Sequence, residues 1–425
     1  MSSPTRRAFL KSSAAAGAAA LTIPAVHAAG SDVLKLGIVG TGGRGSGAVG
    51  NAFEADANTK LVAACDVFDD RLQSGLGNLK KQFGDRVDVP KSRQFTGFDG
   101  YKGVIDSDVD VVLLTTSPGF RPIHFAYAVE KNKHVFMEKP HGTDGPGVRS
   151  VLASAKEAVK KNLCVVSGFC YRYDAWKRDM VKKIHDGEIG KVLAIHATYN
   201  TGALWDRSGH AKSLDPREMD YQLRMWYYFS WLSGDHIVEQ AIHNVDKACW
   251  VMGDEYPVHA IASGGRQVRT AAKYGNIFDH FSVVYEYASG AKVFLQCRQQ
   301  AGCKGGVMDH VIGSNGSAQL MDHTITTAAG KWVHPTAASY DLGPAYVQEH
   351  RELYAAIRAG KVINEAERSA KSTLMGLLGR QAAYTGQQVR WSDMMNSKEH
   401  LLPDTFAWGP NPVKTVAIPG KTKFV

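Results

Sequence analysis

Three side chains of the kind that move protons stand in two short stretches of this 425-residue chain. Lys139 closes the run His134-Val135-Phe136-Met137-Glu138-Lys139-Pro140-His141, and Glu239 and His243 lie within Gly234–Asp246. A lysine delivered to a strand end can donate to a substrate oxygen. On a helix, Glu239 and His243 are i,i+4 and Asp246 is three further on, so all three are expected on one face. A carboxylate placed before a histidine fixes its tautomer and raises its basicity, as a general base requires. Asp235, His236, Glu239 and His243 are also metal-ligand types, but their spacing makes no clear open three-ligand site, and no metal is expected.

The elements that must position these groups can be read from periodicity. Leu34–Val39 is a strand, and Gly40-Thr41-Gly42-Gly43-Arg44-Gly45 follows it at once, opening a helix that runs to about Ala55. Gly40 permits a tight turn, Gly42 lets the backbone approach a pyrophosphate, and Gly45 lets helix and sheet pack closely. With Gly43 and Arg44 they form a phosphate-binding turn at a helix N-terminus. Asp66 ends a second apolar strand about twenty positions on, the spacing of a group that accepts hydrogen bonds from adenosine ribose hydroxyls. Its charge would repel a 2′-phosphate, so NAD(H) is expected over NADP(H). Val109–Thr115, His134–Met137 and Leu163–Val166 are further strands separated by helical stretches, which indicates an α/β doubly wound parallel sheet. From Lys191 the pattern changes to period-two strands with hairpin signals at Ser289-Gly290 and Asn315-Gly316, covered by helices Asp235–Met252, Tyr346–Ala359 and Glu365–Tyr384.

The run Thr115-Thr116-Ser117-Pro118, then His124, then His134-Val135-Phe136-Met137-Glu138-Lys139-Pro140, resembles the signature of the glucose–fructose oxidoreductase / inositol dehydrogenase / MocA (Gfo/Idh/MocA) family. The resemblance implies an N-terminal Rossmann domain and an α+β C-terminal domain on an open, mostly antiparallel sheet. The expected boundaries are 32–167 for the NAD-binding domain, 168–400 for the substrate domain and 401–425 for a Pro/Gly-rich arm packed on its own or a neighbouring subunit. The resemblance also implies that Lys139 meets substrate near the nicotinamide and that Thr116, Pro118 and His124 lie near the cofactor. The family pattern Asp-x-x-x-His, here Glu239 and His243, implies a histidine acting on the substrate hydroxyl. Glu138 is expected either to hold Lys139 or to face the nicotinamide. A dimer or tetramer through the open sheet is implied as well. Tyr171, Arg172, Trp205, Arg207, Arg224 and Asp246 are candidates for a pocket holding a polyhydroxylated ligand, where rings stack on sugar faces and forked donors meet hydroxyls.

Composition narrows the partners. The formal charge is +9, but no basic block with interleaved aromatics occurs, so nucleic acid is not an expected partner. Thr5-Arg6-Arg7-Ala8-Phe9-Leu10-Lys11, an alanine-rich run and Val26-His27-Ala28 resemble a twin-arginine export signal cleaved after Ala28, which implies a mature periplasmic protein exported folded by the twin-arginine machinery. No stretch of the mature chain has the length and apolarity of a membrane span. Six cysteines without metal spacing are expected as buried free thiols, since such export follows folding in a reducing compartment. The expected function is oxidation or reduction of a secondary alcohol of a sugar or sugar derivative with tightly bound NAD. A redox-neutral NAD-dependent glycoside hydrolase is the alternative, and a non-catalytic sugar or cofactor sensor a third reading.

Overall fold

The structure, a computed structural model, describes residues 32–206, 214–335 and 341–425. The leader-like segment 1–28 and Arg207 lie outside the described residues. β1 (Leu34–Val39), β2 (Thr59–Asp66), β3 (Gln94–Thr96), β4 (Val111–Leu114), β5 (His134–Met137) and β6 (Val165–Ser167) form one sheet in the order β3-β2-β1-β4-β5-β6. Every neighbouring pair is parallel. The strands are short apolar runs because helices cover both faces of the sheet and leave no solvated side to alternate towards. The order reverses between β1 and β4, and the carboxyl ends of strands at such a reversal open a ligand crevice.

The second sheet has nine strands: β7 (Val192–Thr201), β8 (His259–Gly265), β9 (His280–Glu286), β10 (Lys292–Gln299), β11 (Gly306–Gly313), β12 (Gly316–Gln319), β13 (Thr324–Thr327), β14 (Gly330–Val333) and β15 (Val389–Arg390), in the order β14-β13-β12-β11-β7-β10-β9-β8-β15. It is antiparallel except where β10 pairs with β7. Residues alternate along β10, with Val293, Leu295 and Cys297 buried and Phe294 and Gln296 exposed, so one face is covered and the other open. The cover includes the helix Ala366–Thr385, whose Leu374, Leu377, Leu378 and Ala382 are fully buried. A Cβ at Gly379 would lie 2.2 Å from the Tyr285 hydroxyl, so glycine there lets helix and sheet approach.

Two sequence expectations change. The helix expected over Asp235–Met252 is broken into His236–Glu239 and Ile242–Val251. At the break, Ala241 N–H bonds to His236 O and His243 N–H to Gln240 O. Of the cysteines, all free, five are buried but Cys303 is exposed. The arm after Leu401 packs on its own chain, with Met219 N–H on Gly409 O and Gly420 N–H on Thr385 O. Among the described residues no helix is long and apolar enough to cross a membrane.

Candidate active site

One cleft of about 570 Å³ runs from the β1–helix turn to the substrate domain, and its walls include Gly42, Asp66, Lys139, Tyr171, Glu239 and His243. At one end, Gly40 has φ +99°, and a Cβ there would stand 3.0 Å from Thr116 N. A Cβ at Gly45 would lie 2.0 Å from Gly40 O, so the helix sits against the turn at a distance no side chain permits. At Gly42 and Gly43 a Cβ would meet nothing within 4 Å, and no side chain caps the N-terminus of the helix Gly43–Ala55. Open space and free amides at a helix start suit an anionic pyrophosphate. Asp66 at the end of β2 accepts from Thr41 N–H at 2.9 Å and Phe68 N–H at 3.2 Å, which aims its carboxylate at the same cleft. Burial pushes the Asp66 carboxyl up, against the pull of these donors. Arg71 also borders this end.

Arg44 turns inward. It forms an ion pair with Glu138, lies over the Tyr346 ring at 4.8 Å, and its second nitrogen is 4.0 Å from buried Glu349. Glu138 therefore pairs with Arg44, and the Lys139 ammonium is held elsewhere. His124 contacts the Thr116 hydroxyl through Nδ1 at 3.2 Å and stacks on Tyr101 at 4.3 Å. Burial, then the Arg121 charge, press its pKa down to about 3, so it is neutral. Pro118 is buried and, unlike Thr116 and Ser117, does not line the cleft.

At the other end Lys139 follows β5. Its carbonyl and that of Pro140 each accept from Arg121 at 2.8 Å, and Arg121 also reaches Thr116 O at 2.6 Å. Lys139 Nζ donates to Glu239 Oε1 at 2.9 Å and to Glu239 O. The helix break explains the second bond: His243 N–H takes Gln240 O, and Glu239 O is left for the lysine. Glu239 thus holds Lys139 instead of orienting His243 as the helical spacing suggests. His243 keeps Nδ1 without a hydrogen-bond partner among the described residues and meets the edge of Tyr171, ring centroids 5.4 Å apart. Desolvation, then the Lys139 charge, drive its pKa well below the usual histidine range, so it is a neutral base at pH 7.

Several expected substrate residues are placed otherwise. Arg172 and Asp246 are buried against each other at 2.8 Å, with Ser372 on Asp246 and Asp254 on Arg172. This cluster ties the Tyr171 turn to the His243 helix and supplies no free donor to a ligand. Arg224 points to Asp70 at 3.2 Å and covers Phe68 at 3.9 Å. Tyr171 and Trp205 do line the cleft. Sequence reasoning missed Tyr199 and Gln240, which also line it and are joined by a 2.9 Å hydrogen bond. The signal was available: Gln240 adjoins Glu239, and Tyr199 lies two residues before the end of β7, the first strand of the second sheet. Among the described residues no cluster of three His, Cys, Asp or Glu side chains could hold a metal ion.

Two family models match. The "Oxidoreductase family, NAD-binding Rossmann fold" covers residues 34–168, and the "GFO/IDH/MocA C-terminal domain" covers 178–319. The chain belongs to the Gfo/Idh/MocA family. Inositol 2-dehydrogenase 3 of Saccharopolyspora erythraea is 26% identical over 293 residues, 68% of this chain and 73% of that protein. Among solved structures, myo-inositol 2-dehydrogenase from Lactobacillus plantarum shares the fold with a TM-score of 0.65 at 22% identity, over 84% of this chain and 99% of that one. Scyllo-inositol dehydrogenase from Lactobacillus casei, solved with NAD(H) and scyllo-inositol, gives 0.64 at 20%, over 85% and 100%. This Gfo/Idh/MocA chain is an NAD-binding oxidoreductase, and its glycine turn and Asp66 are the groups that fit the cofactor.

Proposed function

We propose that the protein oxidises or reduces a secondary alcohol of a sugar or cyclitol, using NAD that stays bound between turnovers. The observation that carries this reading is the single cleft that joins the glycine turn and Asp66 to Lys139, Glu239 and His243. Gly42–Gly45 and Asp66 would hold NAD, which supplies the hydride acceptor. Neutral His243 takes the hydroxyl proton of the alcohol. Lys139 donates to the same oxygen as it becomes a carbonyl, and Glu239 keeps the ammonium aimed there. Tyr199 and Gln240 present a hydroxyl and an amide to neighbouring ring hydroxyls, and the exposed Trp205 ring offers a flat apolar face. The names of the inositol dehydrogenases similar to this chain support a polyol ring as substrate. The leader-like N-terminus supports export of the folded protein with its cofactor to the periplasm, where a second substrate would recycle it in place.

The test is to purify the mature protein without added nucleotide, denature part of it and read released nucleotide, then challenge the remainder with aldoses, inositols and aryl glycosides. Ketone product from an aldose or inositol is expected. Aryl-glycoside cleavage without an electron acceptor would replace this reading with the redox-neutral glycosidase. Absence of released nucleotide would overturn retention alone.

A further inference from the structure

The arm after Leu401 is held at Leu401 and at Val425, and between them it packs on the loops that line the cofactor half of the cleft. At its start Leu401 N–H bonds to Asp144 at 2.9 Å, and its last residue, Val425, accepts from the Ser397 hydroxyl at 2.6 Å. Between them Phe406 packs on Phe120 at 5.1 Å and Phe98 at 5.8 Å, and Trp408 on Phe98 at 5.0 Å and Phe68 at 5.6 Å. Phe68, Phe98 and Phe120 belong to the loops after β2, β3 and β4, and all three line the cleft. Phe68 is also the residue whose N–H bonds Asp66. Immediately beyond, the arm is fastened to the substrate domain: Gln222 Nε2 donates to Asn411 O at 2.6 Å, and Asn411 Nδ2 to Gln222 Oε1 at 3.0 Å. Arg224 repeats the link by pairing with Asp70 and covering Phe68. One segment therefore ties three cofactor-side loops to the substrate domain at Gln222.

We infer that the C-terminal arm is a retaining strap of the dinucleotide site, with Phe406 and Trp408 as its contact residues, so that release of NAD(H) requires the arm to lift. The inference rests on the reading of this cleft as the NAD site. It follows from mechanics: separating the loops after β2 and β3 from Leu223 and Trp226 across the cleft must break the arm's aromatic contacts or its Gln222 bonds. Trp408 is 51% exposed, so its removal trims the strap without opening a core.

The test loads full-length mature protein with NADH and follows loss of protein-to-nicotinamide energy transfer after dilution into excess NAD. Trp408→Ala is expected to release NADH about ten-fold faster, Phe406→Ala/Trp408→Ala faster still, and Trp408→Phe within about twofold of wild type. Near-equal release rates in wild type and Trp408→Ala, with matching melting curves, would overturn the strap. Should the double variant fail to fold, the single exchange at the half-exposed ring decides. The ratio of rates tests the strap whatever the absolute wild-type rate, which separately tests retention between turnovers. A wild type that binds no NADH would overturn the cofactor reading and the strap with it.

Discussion

In the proposed reaction Lys139 and His243 divide the work at the reacting oxygen, a division their surroundings favour. Lys139 is fixed by two acceptors of one residue, Glu239, which leaves its remaining proton free to point at substrate. Lys139→Ala should lower kcat by about 10²–10³-fold while NAD affinity stays unchanged, measured by titration against steady-state kinetics. On the same proposal His243 acts through its neutral form. Because its pKa is depressed in the folded protein, protonation and loss of activity come only as pH falls below the ordinary histidine value of about 6.5. The acid limb of kcat/KM is therefore expected below that value, and His243→Ala should remove about 10²–10⁴-fold of the rate. An acid limb near neutrality that survived His243→Ala would place the base elsewhere. Glu239→Gln should impair kcat more than KM, since it loosens the lysine and leaves the pocket shape intact.

The elements that hold these residues were legible to different degrees. The parallel strands could be read because burial on both faces makes them continuous apolar runs, and the glycine turn because Gly40 and Gly45 each meet a backbone limit that only glycine satisfies. The break after Glu239 could not be read. Asp235-His236-Ile237-Val238-Glu239-Gln240-Ala241-Ile242-His243 contains neither glycine nor proline, and the carbonyl that the break frees, Glu239 O, meets its partner Lys139 from a hundred residues away. Arg172 and Asp246 are residue types that suit a sugar, yet their partners are each other, Asp254 and Ser372, a grouping that no local spacing encodes. Arg121 was equally hidden. Nothing in Phe120-Arg121-Pro122 shows that its guanidinium will gather three carbonyls beneath the lysine. Arg121→Met should cost about 3 kcal/mol in denaturant unfolding, because buried acceptors are left without donors.

At the scale of the molecule, the second sheet leaves one face open. Ile261, Val284, Phe294, His196 and His310 are cross-strand neighbours and form one row on it, with Ile261 48% and Phe294 39% exposed. Such a row of apolar and aromatic side chains suits burial against a second copy. Phe294→Glu is expected to shift the protein to a smaller species in light scattering, and an unchanged mass would direct the interface elsewhere. Both domains line one cleft, and the arm packs on the loops after β2, β3 and β4 that form part of its wall.

The measurement that bears most directly on the central claim is a single-turnover absorbance trace of the nicotinamide when cofactor-loaded protein is mixed with inositols and aldoses. Reduced-nicotinamide absorbance should rise with at least one ring polyol, in an amount equal to the bound cofactor, and slow by two orders of magnitude or more, about 10²-fold, in Lys139→Ala. A trace that stays flat with every polyol, or one that Lys139→Ala leaves unaltered, would contradict the account.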